Sequence, residues 1–315
     1  MNKKTKAALV SIISNTVLVF AKLFVGIVTQ SVSIISEAIH SGLDLVASFI
    51  AFFAVQIASK PADKEHQYGH GKFENVSGTL EAVLIFIAAI WIIYEAYHKL
   101  FDFNPVNQIG LGLLVMGFSG ALNWVISSYL QKIAREEDSI ALEADALHLR
   151  TDVYTSVGVF MGLLLIKFTG WSILDPIIAI FVALLIIKES LKLTKRAFLP
   201  LLDTRLEESQ HRKIVEALQV YASDYIEFHK LRTRKAGAEI HVDLHLVVPK
   251  DWAIGKVHIL CNEIELKLEE VFPNCQCLIH TEPCNDRCDN KTNLCESDEC
   301  PLLGTDSNKQ ETEHK

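Results

Sequence analysis

The sequence predicts an α-helical membrane domain with six transmembrane helices, followed by a small α+β domain with the element order αββαβ. Half of the 315 residues are hydrophobic, which is more apolar surface than a soluble chain of this length usually carries. Most apolar residues precede about residue 198 and most charged residues follow it, which indicates two domains. Beyond about residue 203, segments with the apolar spacing of helices are interspersed with segments in which apolar and polar residues alternate, as in strands.

Six stretches meet the requirement of about 20 mostly apolar residues for a spanning helix. They cover roughly 7–28, 32–58, 78–100, 109–130, 140–167 and 172–193. Lysine and arginine collect on one side, before span one, after spans two and four, and after span six. Both termini of this multi-pass chain are therefore expected to be cytoplasmic. The net charge of −8 offers no basic footprint for nucleic acid.

Spans two and five carry matching ionisable residues inside apolar sequence. His40 and Asp44 are four residues apart, as are His148 and Asp152, so each pair lies on one helical face. Charged groups in hydrocarbon cost at least about 2.5–3.5 kcal/mol each, so the two faces are expected to meet. Two imidazoles and two carboxylates suit tetrahedral zinc, whereas manganese prefers oxygen ligands and copper(I) prefers sulfur.

Other interpretations of this cluster are polar contacts between helices, a proton relay without metal, or an intramembrane zinc hydrolase. A hydrolase would need an open coordination position and a neighbouring base, as in HExxH, and that motif does not occur in the sequence. The sequence therefore argues against an enzyme. Asn123, in span four, is expected to form an interhelical hydrogen bond.

The domain boundaries are expected at 1–200 for the membrane domain, 201–284 for the soluble domain and 285–315 for a polar, disordered tail that contains cysteines. In the soluble part, helices are predicted at 206–221 and 254–271, with strands at 226–234, 238–248 and 276–281 in one antiparallel sheet. Its histidines are either surface residues or a cytoplasmic metal site: His229, His241, His245, His258 and His280, with Glu282 nearby. All seven cysteines follow residue 260, and in a cytosolic domain they favour metal binding over disulfides.

These features together resemble the cation diffusion facilitator family up to about residue 284. The likeness rests on the two HxxxD motifs, on PADKEHQYGHGKFE between spans two and three, and on FHKLRTRKAG and LIHTEPC in the soluble part. The resemblance implies a homodimer in the plasma (inner) membrane with a metallochaperone-like cytoplasmic domain. It assigns transport to His40, Asp44, His148 and Asp152, a loop site to Asp63, His66 and His70, and a cytoplasmic site to His229, His245, His258, His280 and Glu282. It also implies that Lys72 and Asp203 form a charged pair that locks the two domains at the dimer interface.

The expected activity is export of Zn(II) in exchange for protons, with zinc also serving as a structural or regulatory ion. Histidine binds metal when neutral and aspartate when ionised, so protons compete with metal at one site. Related bacterial members carry aspartate at the position of His40, and a histidine there resembles the zinc-selective branch. The alternative within the family is an exporter that prefers Fe(II), Mn(II) or Cd(II).

Overall fold

The computed structural model of the chain describes residues 2–29, 32–99, 110–169 and 173–284. The tail at 285–315, expected to be disordered, lies outside the described residues. The chain divides into two compact units. One unit is Met1–Asp203 with Ala236–Ala238, and the other is Thr204–Lys235 with Glu239–Lys315.

The described part of the first unit forms six long helices, as the apolar stretches predicted. They are α1 (Lys3–Thr29), α2 (Val32–Ala58), α3 (Lys72–Lys99), α4 (Gly110–Glu136), α5 (Ile140–Thr169) and α6 (Leu174–Phe198). A one-turn 3-10 helix, Leu199–Leu202, follows α6. By length and composition alone, two stretches of the described residues are apolar enough to cross a membrane, Lys3–Val28 and Lys72–His98.

Helix α3 begins six residues earlier than its apolar stretch, at Lys72 rather than near residue 78. The polar first turns of this helix are buried and bonded rather than solvated. Glu74 is 2% exposed and accepts a hydrogen bond from Lys4, and Asn75 donates to the backbone oxygen of Ala197. A hydropathy pattern does not distinguish such paired polar residues from a loop.

Small residues allow the helices to approach closely around α5. Ala82 on α3, Ala144 on α5 and Leu193 on α6 share one buried cluster. A side chain at Gly78 would bring its Cβ to 3.2 Å from the backbone oxygen of Ile140. Small residues at helix contacts are typical of membrane bundles. This packing places α5 beside both α2 and α3, which carry the other ionisable residues of the core.

The second unit has the order α7 (Glu208–Gln219), β1 (Glu227–Ala236), β2 (Glu239–Val248), α8 (Ile254–Val271) and β3 (Cys275–Pro283). The predicted αββαβ order is therefore confirmed. The prediction of one antiparallel sheet is wrong, because β3 pairs parallel to β2 in the sheet order β1-β2-β3. The 18-residue helix α8 carries the chain back along the sheet, and a crossover of this kind returns the next strand in the same direction.

Alternation along β2 separates a core face from a polar face. Val242, Leu244 and Leu246 are at most 1% exposed and pack with Ile264 and Leu268 of α8. Successive residues of a strand point to opposite faces, so the intervening His241, Asp243 and His245 occupy the other face. The helices therefore cover one side of the sheet, and the histidines lie on the opposite side.

Candidate metal sites

The first cluster joins α2 and α5 within the helical unit. One ligand atom each from Asp44, His148 and Asp152 lies within 4.8 Å of the others. His148 Nε2 and Asp44 Oδ1 are 3.0 Å apart, and the Asp44 side chain is only 7% exposed. Helical spacing explains the geometry, since His148 and Asp152 are one turn apart on α5 and both face α2. The side chain of His40, one turn before Asp44 on α2, lies outside the described residues.

Asp152 also receives a hydrogen bond from a third element. Asn123 Nδ2 on α4 donates to Asp152 Oδ2 at 3.4 Å, in the interhelical role expected for this amide. One carboxylate oxygen is thereby oriented by α4.

A buried polar network lies next to this cluster, with Ser48 of α2 at its centre. Ser48 Oγ donates to Asp145 Oδ1 at 3.0 Å and accepts from Asn15 Nδ2 at 2.7 Å. Ser11 Oγ lies 3.1 Å from Ser48 Oγ. The network fixes α1, α2 and α5 to one another, and it holds the helical faces that carry Asp44 and His148 in register.

Glu81 of α3 is an ionisable residue of this region that sequence analysis overlooked. Its side chain is 1% exposed, accepts a hydrogen bond from Ser77, and interacts electrostatically with Asp145 and His148. An acid near the start of a mostly apolar span was the available signal, because such residues are costly in membranes and seldom incidental.

The second cluster lies in the connection between α2 and α3. Ligand atoms of Asp63, His66 and His70 lie within 4.8 Å of one another, and His70 Nε2 is 3.3 Å from Asp63 Oδ2. The chain is folded locally around Asp63, whose Oδ1 accepts the backbone N–H groups of Glu65 and His66 at 2.9 and 2.7 Å. The backbone hydrogen bond from His66 lowers the pKa of Asp63, so this carboxylate stays ionised as a metal ligand requires.

The third cluster lies on the polar face of the sheet in the second unit. Glu282 of β3 bridges His245 of β2 and His229 of β1, with His245 Nδ1 at 2.6 Å from Oε1 and His229 Nε2 at 3.3 Å from Oε2. The parallel register places Glu282 beside Val247, two residues beyond His245, so the carboxylate reaches back to the imidazole. The hydrogen bond from His245 lowers the pKa of Glu282.

Three of the five histidines that the sequence analysis grouped in this unit lie outside the cluster. His280 is paired with His245 in the strand register, but its Nε2 is 3.8 Å from Glu282 Oε1 and its side chain is 65% exposed. His258 is exposed on α8, because Val257, Leu260 and Cys261 turn the opposite face of that helix into the core. His241 Nε2 is 4.0 Å from Glu239 Oε2. Among the described residues of this unit, the ligand atoms that lie within 4.8 Å of one another are those of His229, His245 and Glu282.

Lys72 and Asp203 form the expected charged pair within the first unit. Lys72 Nζ donates to Asp203 Oδ1 at 2.9 Å, and the two side chains are 36% and 53% exposed. Asp203 has a left-handed backbone with a φ of 53°, which ends the 3-10 helix after α6. Aspartate and asparagine adopt this conformation more readily than most other residues.

Comparison with known proteins covers both units. The model of the cation efflux transmembrane domain matches residues 8–202, and that of the cation efflux protein cytoplasmic domain, named ZT_dimer, matches residues 206–284. An uncharacterized transporter, sll1263, of Synechocystis is 36% identical over 82% of this chain and 84% of its own length. The cation-efflux pump FieF of Yersinia enterocolitica is 28% identical over 88% of this chain and 92% of its own length.

Solved structures offer a shorter likeness. A chain of CzrB, described as a candidate zinc transporter, is 36% identical and is matched over 99% of its length, which corresponds to 25% of this chain, with a TM-score of 0.25. The two matched family models describe transporters, so this chain is a transporter and not an enzyme. The chain thus belongs to the cation efflux family, the cation diffusion facilitators, whose members are membrane transporters of metal cations.

Proposed function

We propose that this protein exports Zn(II) from the cytoplasm in exchange for protons, by alternating access of the site at Asp44, His148 and Asp152. The observation that carries the proposal is the approach of these three ligand atoms to within 4.8 Å between α2 and α5. A substrate site formed by packed helices can open to one side of the membrane and then to the other when those helices shift.

Zinc is the metal that best suits this donor set. One imidazole and two carboxylates are in place, and His40, one turn from Asp44 on the same helix, would supply the fourth ligand. Methionine and cysteine contribute nothing to the three described ligands, which disfavours copper(I). Fe(II), Mn(II) and Cd(II) remain the competing substrates that the transport assay must separate.

Proton exchange follows from the contact between His148 and Asp44. In its protonated form, His148 donates its Nε2–H to Asp44 Oδ1, and that pair occupies the atoms that a metal ion needs. Metal binding requires neutral imidazole and ionised carboxylate, so zinc entry displaces the proton and proton entry displaces zinc. The same two side chains therefore couple the two fluxes.

The remaining parts of the proposal concern the assembly. Residues 1–200 would form the transport domain and 201–284 the cytoplasmic domain, with both termini in the cytoplasm of a cell whose plasma membrane holds the protein. Asp63, His66 and His70 would bind metal in the cytoplasmic loop, and His229, His245 and Glu282 would bind it in the soluble domain. The chain would act as a homodimer, consistent with its match to the ZT_dimer domain.

Transport by purified protein in sealed vesicles tests the proposal. Under an imposed pH gradient, we expect zinc flux from the wild type, and flux at the background level from a His148→Ala, Asp152→Ala double variant. His98→Ala is the matched control, because this histidine is exposed and lies outside the described clusters. Undiminished zinc flux in the double variant would refute the site assignment, and flux that ignores the pH gradient would refute proton exchange.

A metal panel in the same vesicles tests selectivity. Zinc should be moved in preference to iron, manganese, cadmium, cobalt and nickel. Replacing His40 with aspartate exchanges a nitrogen ligand for oxygen and should broaden transport toward cadmium. Unchanged discrimination between zinc and cadmium in His40→Asp would show that His40 does not set the selectivity.

A further inference from the structure

A cavity of about 330 Å³ lies between α4, α5 and α6, away from the metal clusters. Its volume falls in the range of about 300–1,000 Å³ typical of small-molecule sites. Five cationic side chains line it, against two acids, Glu143 and Glu189: Arg135, Arg150, Lys188, Lys192 and Arg196. Arg196 is paired with Glu143, so an excess of positive charge remains. Such a cavity repels divalent metal ions and attracts anions.

The cations form a row along the groove rather than a patch at its mouth. Lys188, Lys192 and Arg196 are each four residues apart, so they follow one face of α6. Arg196 is near the end of that helix, whereas Lys188 is ten residues before its last residue, a distance of about 15 Å along the axis. Arg150 lies equally far, about 15 Å, from the start of α5 at Ile140. Positive charge therefore extends from the helix ends well into the bundle.

Arg150 is the cation of this cavity that has a buried donor without an acceptor. Within the described part of the chain, its buried Nε has no hydrogen-bond acceptor. It is separated from His148 by about 200° around the helix, so it is directed away from the transport cluster. A buried guanidinium N–H without an acceptor is costly, and an anion beside it would remove that cost.

We propose that this cavity binds the phosphate of an anionic phospholipid from the adjoining leaflet. The cavity wall continues from its cations to Leu185 and Tyr154, which are 47% and 39% exposed and offer an apolar surface to an acyl chain. A free phosphate ion would use the cations but not this apolar surface. Basic pockets between membrane helices are a known physical solution for anionic headgroups, because phosphate contacts and chain burial combine there.

Lipid retention by the purified full-length protein tests this proposal independently of metal transport. Delipidated protein in detergent is mixed with phosphatidylglycerol or phosphatidylcholine of identical acyl chains, and bound lipid is counted by native mass spectrometry. The wild type should retain phosphatidylglycerol in preference. A Lys188→Gln, Lys192→Gln variant should retain it about 30-fold more weakly, since two surface charges are lost.

Two variants serve as controls. Lys132→Gln with Lys195→Gln removes the same number of charges outside the cavity lining and should retain lipid like the wild type. Lys188→Arg with Lys192→Arg keeps the charge and should do likewise. Equal retention by the cavity variant and the wild type would overturn the proposal. The lipid assignment would also be overturned if the wild type retained phosphatidylglycerol no better than phosphatidylcholine and millimolar inorganic phosphate displaced it. That result would assign the cavity to a soluble anion.

Discussion

Glu282 holds the soluble-domain cluster together, because its two carboxylate oxygens approach imidazoles on both neighbouring strands. Oε1 is 2.6 Å from His245 and Oε2 is 3.3 Å from His229. The glutamate side chain, one methylene longer than that of aspartate, reaches both rings. The donated hydrogen bond from His245 lowers the pKa of Glu282, so this ligand is ionised at any pH at which histidine binds metal.

A pH prediction follows for this site. The pKa of Glu282 lies below its ordinary value, so the carboxylate stays ionised throughout the range from about pH 7.5 to 5.5. Acid-driven loss of zinc in that range should therefore come from imidazole protonation alone. Glu282→Gln should weaken zinc binding by at least about 10-fold, by the same factor throughout that range. Calorimetric titration at several pH values measures this. A ratio of the variant and wild-type dissociation constants that changes across this pH range would contradict the prediction.

The CQC pair provides a second prediction for single residues. Burial raises the pKa of Cys275 to about 11 and that of Cys277 to about 12, so both remain protonated thiols at neutral pH. Thiolate is the nucleophilic form, so both residues should react slowly with alkylating reagents. In native protein their alkylation by iodoacetamide should be roughly 100-fold slower than in urea-unfolded protein. Mass spectrometry of timed samples measures the rates, and comparable rates in both states would contradict the prediction.

At the level of helices, a buried ion pair joins three elements. Lys4 Nζ of α1 donates to Glu74 Oε1 of α3 at 2.9 Å, with side chains 14% and 2% exposed, and Ser139 before α5 donates to the other oxygen of Glu74. These contacts tie the starts of α1, α3 and α5 together. They also explain why α3 extends beyond its apolar segment.

Lys4→Met should destabilise the helical domain by about 3–5 kcal/mol, because it leaves the Glu74 carboxylate buried without its cation. Lys3→Met is the matched control. Lys3 is 69% exposed, and its pair with Glu137 at 3.6 Å should contribute under about 1 kcal/mol. Melting of the full-length protein in detergent compares the two. Adding Glu74→Gln to Lys4→Met should restore part of the stability, and a double variant no more stable than Lys4→Met would contradict this explanation.

Periodicity predicted the helices and strands because apolar spacing is local information. It also placed His148 and Asp152 on one face of α5. Strand direction is not local, since the alternation in residues 276–281 is the same for parallel and antiparallel pairing, and so β3 was predicted in the wrong orientation. The family resemblance assigns His258 to the cytoplasmic site, and the phase of α8 exposes this side chain to solvent. Glu81 was overlooked because its partners, Asp145 and His148, belong to a distant helix.

For the molecule as a whole, local stability and assembly place different demands on the same residues. The paired side chains of Lys72 and Asp203 are too exposed to contribute much to folding, since such pairs contribute about 0–1 kcal/mol. The family resemblance nevertheless implies a role for this pair at the dimer interface. A small contribution to folding and a role at the dimer interface are compatible if the pair stabilises the association of two chains rather than the fold of one chain.

Charge removal at each partner tests that role without disturbing the backbone. Asparagine is chosen at position 203 because it tolerates the left-handed φ of 53°. A charge swap that placed lysine there would strain the backbone, and its effect could not be assigned to charge alone. Lys72→Gln and Asp203→Asn should each leave the melting temperature nearly unchanged and promote dimer dissociation, as measured by mass photometry across a dilution series. The double variant should dissociate no more than either single variant, because each removes the same interaction. Additive effects would show that the two residues act separately, and unchanged dissociation in all three variants would remove the pair from the dimer interface.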